Sequence, residues 1–221
     1  MKTVIAFASL AVAASVVSAD VVTWADWTAG GPSGPASFAT GNIGGIGLSY
    51  TGEIDFTQTN NAGTDYWRDN TSTPFPAYTS GSVSNVPSTV DLVAIAGNGQ
   101  SLNTISFSSP VTNPYMAIVS LGQTSIGTTY YFSAGFNIIS VGQGYWGNGT
   151  LTNAGGPNVN GGDTLVGFEG HGIIQFIGTF NSISWTTSSG EHWNGFTFGV
   201  PTPGAAALLG LGGMAVARRR R

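Results

Sequence analysis

The chain has 221 residues, of which 34 are glycine, 10 are proline and only 7% are charged, and this composition excludes a mainly helical protein. It has no cysteine, so disulfide bonds and thiolate metal sites are excluded as well. Between Asp20 and Val200 ten acidic residues face one basic residue, Arg68, and the net charge of −9 excludes nucleic-acid binding through phosphates and favours divalent cations as partners.

The amino terminus has the layout of a secretory signal peptide. A cationic start at Lys2 precedes an apolar run over residues 4–17, and the small residues Ser18 and Ala19 follow it. We therefore predict that residues 1–19 are a signal peptide and that Asp20 is the first mature residue. The alternative, a membrane anchor, is less favoured because the run is short for a span. The protein is expected to leave the cytoplasm.

The mature chain is a succession of short strand-like runs separated by Gly, Asn, Ser and Pro. In residues 46–56 the apolar side chains occupy alternate positions, which is typical of a strand or hairpin with one face exposed to solvent. Similar runs occupy residues 90–96, 103–107, 115–121, 129–133, 136–141, 164–168, 172–178, 182–187 and 195–200. The pattern predicts an all-β chain with a single, jelly-roll-like β-sandwich over residues 20–199. Residues 115–121 and 172–178 are apolar on both faces and are expected in central strands.

A long polar segment, residues 57–88, interrupts the strands and contains Trp67. Loops of this length are usually binding elements or insertions. Trp67 is therefore a candidate for stacking on a ligand. In the alternative interpretation Trp67 and Tyr66 cover an edge of the sandwich, and Arg68 pairs with a neighbouring carboxylate.

Three further aromatic residues are candidates for carbohydrate binding. Tyr145 and Trp146 lie in the glycine-rich run 142–149, where the flanking glycines leave the rings accessible, and Trp193 precedes the last strand. Tryptophan faces stack on the apolar face of a pyranose, and Asn, Asp and Gln side chains supply directed hydrogen bonds. Trp185, in contrast, is expected in the core from its strand alternation.

One turn offers oxygen ligands for calcium. Asn158, Asn160 and Asp163 lie close together in a glycine-rich run, as a hard cation requires. A single copy does not make a calcium-binding repeat, so a polar hairpin turn is the favoured alternative. No other cofactor is expected.

Signals for catalysis are weaker. Glu53 and Asp55 are two residues apart, and each of Glu169 and Glu191 lies close to a histidine, but neither a metal-binding spacing nor a serine nucleophile motif is present. A catalytic site would require two of these four carboxylates to converge in one cleft. We therefore expect a non-catalytic protein, with a secreted carbohydrate-active enzyme as the alternative.

The carboxyl terminus combines a proline motif, a short apolar segment and a cluster of arginines. As a helix, residues 204–217 would reach only about 20 Å, less than the roughly 30 Å hydrocarbon core. The arginines favour the cytoplasmic side of a membrane. The prolines predict an extended, accessible strip without regular structure before the apolar segment. The residues of the motif and the cluster are Val200, Pro201, Thr202, Pro203, Arg218, Arg219, Arg220 and Arg221.

Residues 200–221 in this order resemble the PEP-CTERM sorting signal of bacteria with an outer membrane, although Thr202 stands where that signal usually has Glu. The resemblance implies an exosortase-type processing enzyme as a partner. It also implies transient anchoring in the inner membrane by the tail and release to the cell surface or the extracellular matrix. From the sequence we expect an exported surface or matrix protein, structural or polysaccharide-binding.

Overall fold

The computed structural model describes residues 20–97, 101–188 and 190–202. The predicted signal peptide and residues 203–221 of the predicted sorting signal lie outside these ranges. Among the described residues no helix is long and apolar enough to cross a membrane. The strands are β1 Val22–Trp24, β2 Asp26–Gly30, β3 Gly34–Ile43, β4 Ile46–Ile54, β5 Phe56–Gln58, β6 Leu92–Ile95, β7 Asn103–Thr112, β8 Tyr115–Leu121, β9 Thr128–Phe132, β10 Phe136–Val141, β11 Thr150–Gly155, β12 Thr164–Phe168, β13 Gly170–Phe176, β14 Thr179–Thr187 and β15 Asn194–Pro201, with a 3-10 helix at Pro76–Tyr78.

Two antiparallel sheets form a sandwich, so the predicted all-β fold is confirmed. The seven-stranded sheet has the order β10-β13-β8-β15-β6-β5, and β1 pairs with β15; the eight-stranded sheet has the order β11-β12-β9-β14-β7-β4-β3-β2. From β6 to β15 the chain passes repeatedly from one sheet to the other, as a jelly-roll-like sandwich requires. The strands β8 and β13 are central, as their apolar sequences predicted.

Some strands were not predicted from the sequence. They include β1, β2, β3 and β11. Strand β1 has only three residues, and β2, β3 and β11 contain Gly, Ala and Asn or Asp, which are depleted from strands. The hairpin between β3 and β4 turns at Gly44 and Gly45, whose φ angles are 56° and 90°. Two positive φ angles in a two-residue turn favour glycine and match the twist of a hairpin.

Aromatic side chains fill the space between the sheets. Trp185 is fully buried, as expected, and its ring lies 5.1 Å from Phe196 and 6.0 Å from Tyr50 and from Tyr130, measured between centroids. The hydroxyl of Tyr50 donates to Asn103 Oδ1 at 2.6 Å, so its polar atom is satisfied in the core. Burial raises the pKa of Tyr50 well above its ordinary value.

A second apolar cluster lies on the outer face of the seven-stranded sheet. It forms because the segment between β5 and β6 folds across that face and buries Trp67, Tyr78 and Val83 against Tyr115 of β8 and Ile173 of β13. The ring of Trp67 packs edge-on against Tyr78 at 5.1 Å. The long polar segment is therefore a covering layer that supplies its own apolar side chains.

The last strand corrects the prediction for the proline motif. Strand β15 continues through Val200 and Pro201, whose Cα partners in β1 are Thr23 and Val22, and the Thr202 N–H donates to the Val21 carbonyl at 2.8 Å. Pro201 is tolerated because it lies at the end of a strand, where a missing N–H costs little. The first part of the motif is thus in the sheet, and the sandwich extends past residue 199.

Trp67→Ala should lower the free energy of unfolding by about 3 to 5 kcal/mol, because it removes a fully buried indole from the covering layer. Chemical denaturation followed by far-ultraviolet circular dichroism measures this loss. Trp146→Ala is the matched control: that indole is 54% exposed, and its removal should cost less than about 1 kcal/mol. Equal losses in the two variants would contradict the assigned role of Trp67.

Candidate functional site

Three of the four aromatic residues predicted to bind carbohydrate come together in the fold. The ring of Tyr145 lies 4.9 Å from Trp146, and Trp146 lies 6.5 Å from Trp193, measured between centroids. Tyr66, from the covering layer, joins them at 4.9 Å from Tyr145 and 5.1 Å from Trp193. We call Tyr66, Tyr145, Trp146 and Trp193 the aromatic platform.

Trp67 is not part of this platform, so its prediction as a stacking residue is wrong. Its ring is fully buried under the covering layer. The alternative interpretation holds in one respect, because Arg68 Nη1 pairs with Asp65 Oδ2 at 3.1 Å. The sequence could not distinguish Trp67 from Tyr66, since both lie in the same polar segment and only the fold decides which ring points outward.

Glycines allow the turn that carries Tyr145 and Trp146 to lie close to the sheet. Gly144 N–H donates to the Gly147 carbonyl at 2.8 Å, which closes the turn that carries Tyr145 and Trp146. A Cβ atom on Gly144 would lie 2.2 Å from Cγ of His171, and one on Gly149 would lie 2.1 Å from the carbonyl oxygen of Glu169. Only glycine permits such an approach, so these residues place Trp146 above the polar groups described next.

Two open cavities share lining residues, and we call them together the groove. One cavity, of about 320 Å³, is lined by residues that include Ser120, Glu191 and Trp193. The other, of about 280 Å³, is lined by residues that include Phe168. Trp146 and Glu169 line both cavities. The groove therefore has an exposed indole and a carboxylate at its middle.

Glu191 contributes a second carboxyl group to the groove. Burial raises the pKa of Glu191 to about 7, while hydrogen bonds from Gly122 N–H and the Asn194 side chain lower it and the charge of Glu169 raises it further. Its Oε1 accepts these hydrogen bonds at 2.9 Å from Gly122 N and 2.7 Å from Asn194 Nδ2. Near neutral pH this group therefore exists in both protonated and ionised forms.

Glu169 is held by an irregularity in the sheet. In the pairing of β8 with β13, Val119 and Ser120 lie opposite the single residue His171, so β8 contains a bulge. Ser120 has φ 58°, and Glu169, at the corner between β12 and β13, has φ 52°. The Ser120 hydroxyl donates to Glu169 Oε1. Two non-glycine residues in the left-handed region are thus joined at the groove, and such conformations are costly.

His171 lies beneath Glu169. Its Nδ1 accepts the Ser120 N–H at 3.2 Å, so the neutral ring carries its proton on Nε2. Burial lowers the pKa of His171 to about 4, which keeps the ring neutral at physiological pH. Nε2 has no hydrogen-bond partner among the described residues and lies 3.9 Å from Glu169 Oε1. A buried donor thus faces the groove carboxylate without a direct bond to it.

Glu53 and Asp55 are not among the residues that line the two cavities. Although they are two residues apart, Glu53 and Asp55 do not share a strand, because β4 ends at Ile54 and Asp55 lies where the chain crosses into the other sheet. Glu53 is buried, with 7% of its surface exposed. Of the four candidate carboxylates, Glu169 and Glu191 are the pair that converges.

The candidate calcium ligands make hydrogen bonds within and beside a turn. Asn158 Oδ1 accepts the Asn160 N–H at 2.7 Å, and Asn160 Nδ2 donates to the Tyr131 carbonyl at 2.6 Å. Asp163 Oδ2 accepts from Phe136 N–H at 3.2 Å and from an asparagine amide. The described residues contain no group of three or more His, Asp or Glu placed to hold a metal ion. These bonds account for the segment as the polar turn that was the favoured alternative.

Ser120 and Gln123 line the groove but were not identified from the sequence. Ser120 ends the apolar run of β8, and a polar residue near the end of such a run was the available signal. The bulge that turns Ser120 toward Glu169 cannot be recognised in the sequence. The hydrophobic pattern shows which residues alternate between the faces of a strand, but it does not show a single inserted residue.

Glu191→Gln should become more stable relative to the natural protein as pH rises. A carboxyl whose folded pKa is raised to about 7 stabilises the fold below its unfolded pKa, and this contribution is lost as pH rises through 7. The difference in unfolding free energy between the two proteins should change by at most about 3 kcal/mol from acid to mildly alkaline pH, less because Glu191 is partly exposed. Urea denaturation across this pH range measures it, and a constant difference would contradict the assigned burial of the carboxyl group.

Comparisons of this chain with models of protein families, with curated proteins and with solved structures found no match to it.

Proposed function

We propose that this protein is exported to the cell surface or the extracellular matrix and binds polysaccharide there without catalysis. The observation that carries the proposal is the aromatic platform, which borders a groove containing the carboxyl groups of Glu169 and Glu191. Exposed aromatic faces beside hydrogen-bonding side chains suit the two kinds of surface on a sugar ring.

The rings differ in accessibility, and this assigns them different roles. Trp146 is 54% exposed and presents its indole at the middle of the groove. Trp193 is half-buried between Phe56 at 5.0 Å and Tyr66 at 5.1 Å, so its ring is fixed in place. A fixed ring next to an exposed one favours stacking with little loss of side-chain entropy on binding.

Export is proposed from the two ends of the chain. Residues 1–19 have the layout of a signal peptide, and residues 200–221 resemble a PEP-CTERM signal, for which an exosortase-type enzyme is the proposed partner and the tail a transient contact with the inner membrane. Because β15 ends at Pro201, cleavage after Thr202 would leave every described strand intact. The groove would then be released together with its complete sandwich.

Trp146→Ala should weaken binding to a recognised polysaccharide by about tenfold or more, because truncating an aromatic anchor typically costs above 1.4 kcal/mol. Affinity electrophoresis of the purified protein against neutral, amino-sugar and uronate polysaccharides measures this. Phe38→Ala is the matched control, since Phe38 is an aromatic residue of β3 that lines neither cavity and is 48% exposed. Equal weakening by both substitutions, or binding to none of the polysaccharides, would refute the proposal.

A secreted carbohydrate-active enzyme is the second candidate, and one observation favours it. Glu169 and Glu191 line the same cavity, and the pKa of Glu191 is raised to about 7 by burial. Glycoside hydrolysis requires one protonated and one ionised carboxyl group on either side of a glycosidic bond. In this scheme Glu191 donates a proton to the leaving oxygen, and Glu169, positioned by Ser120, acts as base or nucleophile.

If hydrolysis occurs, Glu191→Gln should reduce it by roughly 100-fold or more, because a positioned general acid contributes 10² to 10⁴ in rate. The rate should also fall as pH rises above 7, since Glu191 then loses its proton. Release of reducing ends from each polysaccharide that binds measures both effects. Binding without release of reducing ends at any pH would leave the non-catalytic proposal and eliminate the enzyme.

A further inference from the structure

The charges around the groove have one sign. Glu169 and Glu191 line it, and among the described residues that line the two cavities only His192 can take a positive charge. The single arginine of residues 20–202, Arg68, is engaged elsewhere: Nη1 pairs with Asp65 at 3.1 Å, and Nη2 donates to the Pro87 carbonyl at 2.8 Å. A carboxylated or sulfated polysaccharide would therefore meet like-charge repulsion here, with no lysine or arginine among the lining residues to pair with it.

A second feature concerns the group that lies under the Glu169 carboxylate. The fully buried Nε2–H of His171 lacks a hydrogen-bond acceptor and lies 3.9 Å from Glu169 Oε1, beneath the groove. An unsatisfied buried donor lowers stability, so a ligand that moves the Glu169 carboxylate into hydrogen-bond range of Nε2 would offset that cost.

We infer that the groove selects polysaccharides rich in free amino groups, of the polyglucosamine type, over their N-acetylated, neutral and anionic counterparts. The inference rests on the proposed polysaccharide binding and adds the chemical class of the ligand. An ammonium group at the middle of the groove meets the carboxylate of Glu169, which the Ser120 hydroxyl holds in position. The exposed face of Trp146 lies on the same stretch of the groove and attracts a cation through its ring electrons.

The groove also sets a requirement on ligand length. The cavities of about 320 Å³ and 280 Å³ share Trp146 and Glu169 among their lining residues. A ligand that occupies both cavities contacts Trp146 and Glu169 from two sides, which favours a chain of linked sugar units over a single one. The groove is open, which suits an internal stretch of a long chain as well as its end. A free monosaccharide should therefore bind much more weakly than an oligomer.

Isothermal titration calorimetry of the purified full chain tests the inference with three oligosaccharides of equal length: β-linked glucosamine, its N-acetylated form and a uronic acid oligomer. We expect glucosamine to bind about tenfold more tightly than the N-acetylated form at low salt, because charge-assisted hydrogen bonds are roughly twice as strong as neutral ones. The advantage should shrink at about 1 M salt, where the screening length is about 3 Å. The uronic acid oligomer should not bind.

Matched substitutions assign the preference to the groove. Glu169→Gln should remove most of the glucosamine advantage and leave the affinity for the N-acetylated oligomer within about twofold, since it removes charge and keeps shape. Asp26→Asn, the same change at an exposed carboxylate on β2 of the other sheet, should change neither value. Equal affinity for the two glucosamine forms, or a preference that persists in Glu169→Gln, would overturn the inference and leave polysaccharide binding standing. Absence of binding to all three oligomers and to every polysaccharide in the Trp146 experiment would refute both.

Discussion

The structure depends on one constraint: the seven-stranded sheet is apolar on both of its faces. Every residue of β8 is buried. Met116 and Ile118 point into the sandwich core, while Tyr115, Ala117 and Val119 belong to the outer apolar cluster. A sandwich covers only the inner face of each sheet, so the outer cluster would meet water unless another part of the chain lay over it. The segment between β5 and β6 provides that cover.

The covering layer also determines where the candidate site forms. Trp67 is buried against the sheet and Tyr66 is only half-buried, at the edge of the layer, where it meets Tyr145 and Trp193. Tyr66 and Trp67 lie in a bend, and with Trp67 anchored against the sheet the ring of Tyr66 packs against Tyr145 and Trp193. The aromatic platform is thus a consequence of covering the sheet, because its rings come from three separate segments that meet at one edge.

The strands could be predicted wherever hydrophobic periodicity carries the information. Residues 115–121, 136–141 and 164–168 match β8, β10 and β12 at both ends, because alternation or a continuous apolar run leaves little choice of structure there. Strand β3 escaped prediction because only Ala39 and Ile43 of its residues are buried, so its pairing is decided by tertiary contacts and not by its own composition. The all-β class follows from many such segments, so it could be predicted even though a few strands were not.

Only the residue types of the candidate site, and not their arrangement, could be predicted from the sequence. The flanking glycines indicated accessible rings for Tyr145 and Trp146, and the fold leaves Trp146 exposed and Tyr145 half-buried. The prediction that Trp67 stacks on a ligand was wrong because polar neighbours in the sequence do not show which apolar surface of the fold the segment covers. The joining of Ser120 to Glu169 depends on a bulge and on a corner between two sheets, and neither has a periodic signature.

Several residues at the groove adopt conformations, or bury polar groups, that lower the stability of the fold. Ser120 and Glu169 both occupy the left-handed region, His171 buries an unpaired donor, and Glu191 is held partly desolvated. Each feature costs stability, and glycine at the two strained positions would remove much of the backbone cost. All four residues lie together at or just beneath a groove edged by an exposed tryptophan, at the end of an otherwise apolar sheet. Residues in the left-handed region also occur elsewhere, at Asn60, Asn61, Ser72 and Asn113. What distinguishes the groove is that backbone strain, an unpaired buried donor and a partly desolvated carboxyl group meet there, a combination that a bound ligand could offset.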